Sequence, residues 1–391
     1  MELYKAHNQW SSRPLDERFW TLEDAKNKCN ELCKSSEVRE VEPKDLGFAS
    51  LNKELVVDFC FEGSMTEEHP VTNWAFKQIC NKLSAPAGFL EKLPSDLVST
   101  ILEHVLEKQT SNLNTLSVLL DNTTDRARCF VSTKYHRIWN HQVFDRLIDL
   151  KQFGWRVPPA RPALNDPRAR PATEEDILNQ CTSTLSINVG DLIAPAGVYV
   201  SDQDMFVFLV NDQYTVDDGT GNQLLRGMIF WNSEVGAASI GGLSFLCDTV
   251  CGNHIVWGAK EVTEWSKKHI GEALETHAWD KLALVANQYA QQSQKDDYTK
   301  ILRSRNTLLG NNKEESLETL FGVTRKYRLL LSDTLLDSAY DRATTQPRYG
   351  NPNNLWAITN GITELSQSSM YTDKRVEIDR SAGKLAEIIL A

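Results

Sequence analysis

Apolar residues first recur at helical spacing in Thr21–Ser35, where Leu22, Ala25, Cys29 and Leu32 share a face and Thr21 with Asp24 forms a capping arrangement. The β-branched and aromatic run Leu55–Phe61 predicts a strand. Helical spacing returns in the stretch after Val71, with Phe76, Ile79, Cys80 and Leu83 on one face, Thr72 or Asn73 at the cap and Pro86 as the stop. A further helix is expected over Ser95–Glu107, capped by Ser95 or Asp96 and carrying Leu97, Ile101, Val105 and Leu106.

The period then changes to two. Leu116–Asp121 and Arg126–Ser132 read as a β-hairpin closed by the polar turn 122–125, with a helix following at Val143–Leu150. Strands are expected again at Thr184–Val189, Gly197–Val200, Met205–Val210 and Gly227–Trp231, separated by turns at Asn211-Asp212 and at 217–222. Beyond Gly258 the pattern is helical: Leu274, Ala278, Leu282, Val285 and Tyr289 advance by threes and fours, and last helices are expected at Leu355–Leu365 and Asp373–Leu390. Strands that are not regularly separated by crossover helices favour an α+β fold, an antiparallel-rich sheet packed with helices and a helical C-terminal third. The division this suggests is an acidic N-terminal region over 1–64, an α+β core over 65–258 and a helical region over 259–391 packed on that core. No repeat period points to a solenoid or propeller.

Composition narrows the class of molecule. Of the 391 residues 41% are hydrophobic and 24% charged, an ordinary globular balance, and a net charge of −11 argues against blanket attraction to DNA or an anionic membrane. Between Glu2 and Glu68 fifteen acidic side chains stand against nine basic ones. The N-terminal MELYKAHNQWSSRPLDERFW shows no leader pattern, and no stretch has the roughly 20 apolar residues of a membrane span. Eight cysteines over this length are expected to be reduced thiols, so the expectation is a cytoplasmic protein with no membrane partner.

Against the acidic background, residues 125–156 hold seven Lys/Arg and three Asp. Arg126, Arg128, Lys134, His136 and Arg137 interleave with Tyr135 and Trp139, a mixture suited to holding phosphates and stacking unpaired bases. The plainer reading of the same residues is a strand and helix edge with solvated charges and Trp139 in the core. A proline-rich arm over 154–172 adds Arg156, Arg161, Arg168 and Arg170, and its prolines forbid a regular helix or central strand. Asn232-Ser233-Glu234 before Gly236 reads as a polar turn, with contact to a substrate or metal as the alternative. Cys247, Cys251 and His254 could supply metal ligands but lack the usual pair spacing, so buried thiols are the plainer reading. No nucleotide-binding Gly-rich loop, zinc-protease helix or dinucleotide fingerprint is present, and no cofactor is implied.

Four segments in order, Thr72–Pro94 (TNWAFKQICNKLSAPAGFLEKLP), Arg128–Leu147 (RCFVSTKYHRIWNHQVFDRL), Asn232–His254 (NSEVGAASIGG with LCDTVCGNH) and Asn353–Ser366 (NNLWAITNGITELS), resemble the prokaryotic phage- and plasmid-borne family called domain of unknown function 932. The resemblance runs from about residue 65 to the C-terminus. It implies a mobile-element protein whose fold is similar to that of Rad/Erf-type single-strand annealing proteins. Together with the basic-aromatic segment, this leads to the expectation of a homo-oligomer that binds single-stranded DNA without hydrolysing nucleotides. The alternatives are an interaction factor that modulates host defence or replication and, behind it, a metal-dependent hydrolase.

Overall fold

The expected caps set the first elements. The Thr21 hydroxyl accepts the Asp24 N–H at 3.0 Å, and the Thr72 hydroxyl accepts that of Ala75 at 3.2 Å. The computed structural model describes residues 15–60, 67–110, 113–157, 167–179, 188–195, 197–248, 254–255, 264–269, 274–291, 293–366 and 372–391. The chain runs through β1 (Arg18–Phe19), α1 (Leu22–Ser35), β2 (Ser36–Val41), β3 (Leu46–Leu51), β4 (Glu54–Phe59), β5 (Glu67–Pro70), α2 (Asn73–Lys82), α3 (Ala87–Leu90) and α4 (Ser95–Gln109). It continues through the hairpin β6 (Leu116–Asp121) and β7 (Arg126–Ser132), α5 (Asn140–Asp149), β8 (Trp155–Arg156), β9 (Arg170–Pro171), α6 (Glu174–Asn179) and β10 (Leu192–Ile193). Then come β11 (Val198–Val200), β12 (Met205–Asp217), β13 (Gln223–Asn232), β14 (Ile240–Asp248), β15 (His254–Ile255) and β16 (Glu264–Lys267). Helices α7 (Leu274–Ala290), α8 (Gln294–Asn306), α9 (Lys313–Tyr327), α10 (Asp333–Thr345), α11 (Leu355–Ser366) and α12 (Thr372–Leu390) complete it.

The fold is α+β, as expected, with its named strand pairs antiparallel. The largest sheet has the order β1-β11-β12-β13-β14-β15, with β8 added on β12 and β16 on β14. One side packs against α1, α5 and α7 through Leu22, Phe144, Met228, Phe230 and Val285. Two three-stranded sheets, β2-β6-β7 and β3-β4-β5, enclose a second core with α2 and α4, built on Val57, Phe59, Phe76, Leu102 and Phe130. Strands on either side of residue 64 share sheets, since β2 pairs with β6 and β4 with β5. The C-terminal helices form a third core around Leu336, Trp356 and Leu385. Two ion pairs tie it to the large sheet: Arg226–Asp297 and Arg305–Asp218, each 2.8 Å.

Several local expectations are corrected. Asn211-Asp212 is no turn: β12 passes through it with a register shift between Asn211 and Val216. The buried Asn211 side chain takes the Gln213 N–H at 3.0 Å and donates to the Phe153 carbonyl at 2.9 Å, so its local bonding produces a bulge rather than a reversal. The cap of α4 is Pro94 rather than Ser95 or Asp96. Helix α2 ends at Lys82, ahead of Pro86, which instead precedes α3. Beyond Gly258, β16 extends the sheet before the helices begin. Of the strand expected at Thr184–Val189, residues 184–187 lie outside the described residues.

Candidate nucleic-acid interface

The site is organised by the turn that follows β13. Gly236 has φ of 78°, a left-handed conformation that a side chain disfavours. Before it, Asn232, Ser233 and Glu234 are almost wholly buried. The Ser233 hydroxyl accepts the Ala237 N–H at 2.9 Å and donates to the Gln203 carbonyl at 2.5 Å. The Asn232 amide nitrogen donates to the Ile138 carbonyl and to Asn140 Oδ1, at 2.9 and 2.8 Å. Glu234 accepts the Asn140 N–H at 2.8 Å and pairs with Arg128 at 3.2 Å. The triplet is thus a buried interior turn held by hydrogen bonds from all three side chains.

Its backbone carbonyls face outward and gather side chains from elsewhere. Ser233 O accepts the Tyr135 hydroxyl at 2.8 Å, and Glu234 O accepts Arg137. Val235 O accepts both Trp74 Nε1 at 3.0 Å and Gln78 Nε2 at 2.8 Å, while Gln78 Oε1 takes the Phe130 N–H of β7 at 2.9 Å. The turn thereby fixes α2, β7 and the segment 135–137 around a cleft of about 650 Å³.

One face of α2 forms the cleft wall: Trp74, Lys77, Gln78, Asn81 and Lys82, at helical spacing. The opposite face, with Phe76, Ile79 and Cys80, is core. Lys134, Tyr135 and His269 close the other side, and among the described residues no carboxylate lines the cleft. None of the Lys77, Lys82 and Lys134 ammonium groups has an ion-pair partner among the described residues. Burial pushes the Lys82 amine below its ordinary value and the Tyr135 phenol above its own. The His269 ring stacks on Tyr135 with centroids 5.0 Å apart, and its Nδ1 lies 3.2 Å from the His136 carbonyl. Burial holds His269 down to about 4, so it is neutral near pH 7 and the cleft's positive charge is that of the lysines.

The sequence candidates divide sharply. Lys134 and Tyr135 line the cleft. Arg128 is only 5% exposed and is committed to Glu234, Ser36 and the Asp202 carbonyl, so its charge is spent inside the protein. Arg137 points into the structure between Tyr135 and Trp139, 5.6 Å from each ring centroid, and Trp139 packs on Leu119, Cys129 and Val235. His136 is half-buried, its N–H donating to the His269 carbonyl at 3.1 Å. Arg126 pairs with Glu54 at 3.1 Å in a neighbouring cleft of about 530 Å³, whose lining holds Asp16, Glu17, Asp121 and Asp202 as well.

The described residues of the arm do not join this group. Arg156 lies in β8 beside β12, and Arg168 donates to the Arg18 carbonyl. Arg170 grips Asp176 with two bonds, 2.5 and 2.7 Å, and lies over the Trp20 ring at 4.2 Å. That grip lowers the Asp176 carboxyl to about 2. Arg161 lies outside the described residues, as does Cys251. Cys247 and His254 are register partners on β14 and β15, and among the described residues no group of three His, Cys, Asp or Glu could hold a metal. Among the described residues no helix is long and apolar enough to cross a membrane.

Sequence reading missed Trp74, Lys77, Lys82 and His269. The first three were available as the polar face opposite the recognised apolar stripe of α2; His269 reaches the cleft only through the tertiary fold. Compared with family models, curated proteins and solved structures, the chain finds no match.

Proposed function

We propose that the protein binds single-stranded nucleic acid, DNA in the first instance, in the cleft between α2, β7 and the 232–236 turn. The observation that supports this most is a set of three lysines beside Trp74 and Tyr135 that meet no carboxylate among the described residues, in a chain of net charge −11. Lysines supply sequence-independent phosphate binding, and each base stacked on an aromatic ring adds about 1–3 kcal/mol. Neutral His269 stacks on Tyr135 and braces its ring. The resemblance to phage- and plasmid-borne proteins fits a role in handling single strands during recombination, in the cytoplasm and without nucleotide hydrolysis.

The test is fluorescence anisotropy with a labelled single strand and its duplex at low salt. The expected result is preference for the single strand, with binding at least about tenfold weaker in a Lys77→Gln/Lys134→Gln protein. Absence of binding, or binding indifferent to those substitutions, removes the reading.

A further inference from the structure

Two glycines lie inside the long C-terminal helices, and their surroundings differ. At Gly361 in α11 a Cβ would collide with the Ala339 carbonyl of α10, so close helix packing requires glycine there. At Gly322 in α9 a Cβ would meet nothing within 4 Å, and the residue is exposed. Glycine is costly in a helix compared with alanine, yet among the described residues no contact makes use of this one.

Gly322 sits on a groove of about 620 Å³ between α9 and α12, bordered by Val323, Tyr327, Ile388 and Ile389. Tyr327 is 44% exposed, and Leu330 just beyond it is 55% exposed. Such apolar exposure beside a helix position bare of a side chain suits the close approach of another helix. Two of the charges on this face are arranged symmetrically about the glycine. Glu318 lies four residues before it and Lys326 four after; both are exposed and both line the groove. If two copies of α9 cross antiparallel at Gly322, Glu318 of each faces Lys326 of the other, as a two-fold interface demands. A parallel pairing would set like against like.

We propose that this groove is a self-association surface, occupied by α9 of a second copy of the chain crossing at Gly322. The paired charges fix register and direction, and Val323, Tyr327, Ile388 and Ile389 supply the apolar contact. The surface is separate from the α2–β7 cleft, and the inference stands independently of what that cleft binds.

Sedimentation velocity over a wide concentration range tests it, with circular dichroism confirming that each variant is folded. The wild-type chain is expected to form dimers. Glu318→Lys alone and Lys326→Glu alone are each expected to weaken dimerisation more than about tenfold through like-charge contact. The double variant E318K/K326E restores it, because the pair is merely exchanged. A wild-type chain monomeric throughout, dimers indifferent to either single reversal, or a double variant as weak as the singles would each overturn the proposal.

Discussion

Two clefts built on the same two elements treat their cations in opposite ways. The first residues of α2 and Arg126 and Arg128 of β7 border the 530 Å³ cleft, where each arginine meets a carboxylate, Glu54 or Glu234. A few residues further along, α2 and β7 border the 650 Å³ cleft, where the lysines meet none among the described residues. The charge that matters for a polyanion is the charge left uncompensated. Paired arginines stabilise geometry; unpaired lysines are available to a ligand. The pair Arg128–Glu234 stands between the two, since Glu234 belongs to the turn that holds Trp74, Gln78 and Tyr135 in place.

The largest effect is expected from breaking that partition. Glu234→Ala leaves Arg128 buried without its carboxylate and should cost about 3–5 kcal/mol of stability, read from urea unfolding. Loss below about 1 kcal/mol would mean that the pair does not hold the turn. A somewhat smaller effect comes from His269, at the far wall of the lysine cleft. Its folded pKa of about 4 lies below the ordinary 6.5, so the unfolded chain binds the extra proton between those values. Its contribution is therefore complete above about pH 6.5 and lost as pH falls toward 4, roughly 3 kcal/mol in all. Unfolding midpoints at pH 7.5 and 4.5 should converge in a His269→Gln protein relative to wild type; an unchanged pH dependence would contradict the buried neutral ring. The smallest effect separates stacking from charge. Trp74→Ala should weaken single-strand binding by about 1–3 kcal/mol while leaving its salt dependence unchanged.

The chain's own pattern made the fold class legible because its periods are clean. The hairpin at 116–121 and 126–132 has the expected bounds, and the caps at Thr21 and Thr72 are local hydrogen bonds that need no distant partner. The bulge at Asn211 was not legible, because asparagine serves a turn and a bulge with the same local bonding. The site was only half legible. Clustering in sequence drew attention to Arg126, Arg128 and Arg137, but partners 72, 106 and 97 residues away neutralise or bury them. Lys77 and Lys82 are distinguished by having no such partner among the described residues, a property that exists only in the folded chain. The NSE triplet, which could be read as a turn or a site, proves to be a buried turn whose carbonyls position the residues of the cleft.

The most direct test compares the clefts as polyanion binders, through the slope of log binding constant against log salt for a labelled single strand. Each lost phosphate contact should reduce that slope by about 0.7. Lys77→Gln/Lys134→Gln is predicted to lower it by about 1.4 and weaken binding, whereas Arg126→Gln, whose guanidinium already pairs with Glu54, should leave both unchanged. A loss from Arg126→Gln as large as that from the lysine pair, or loss from Arg126→Gln alone, would contradict the account.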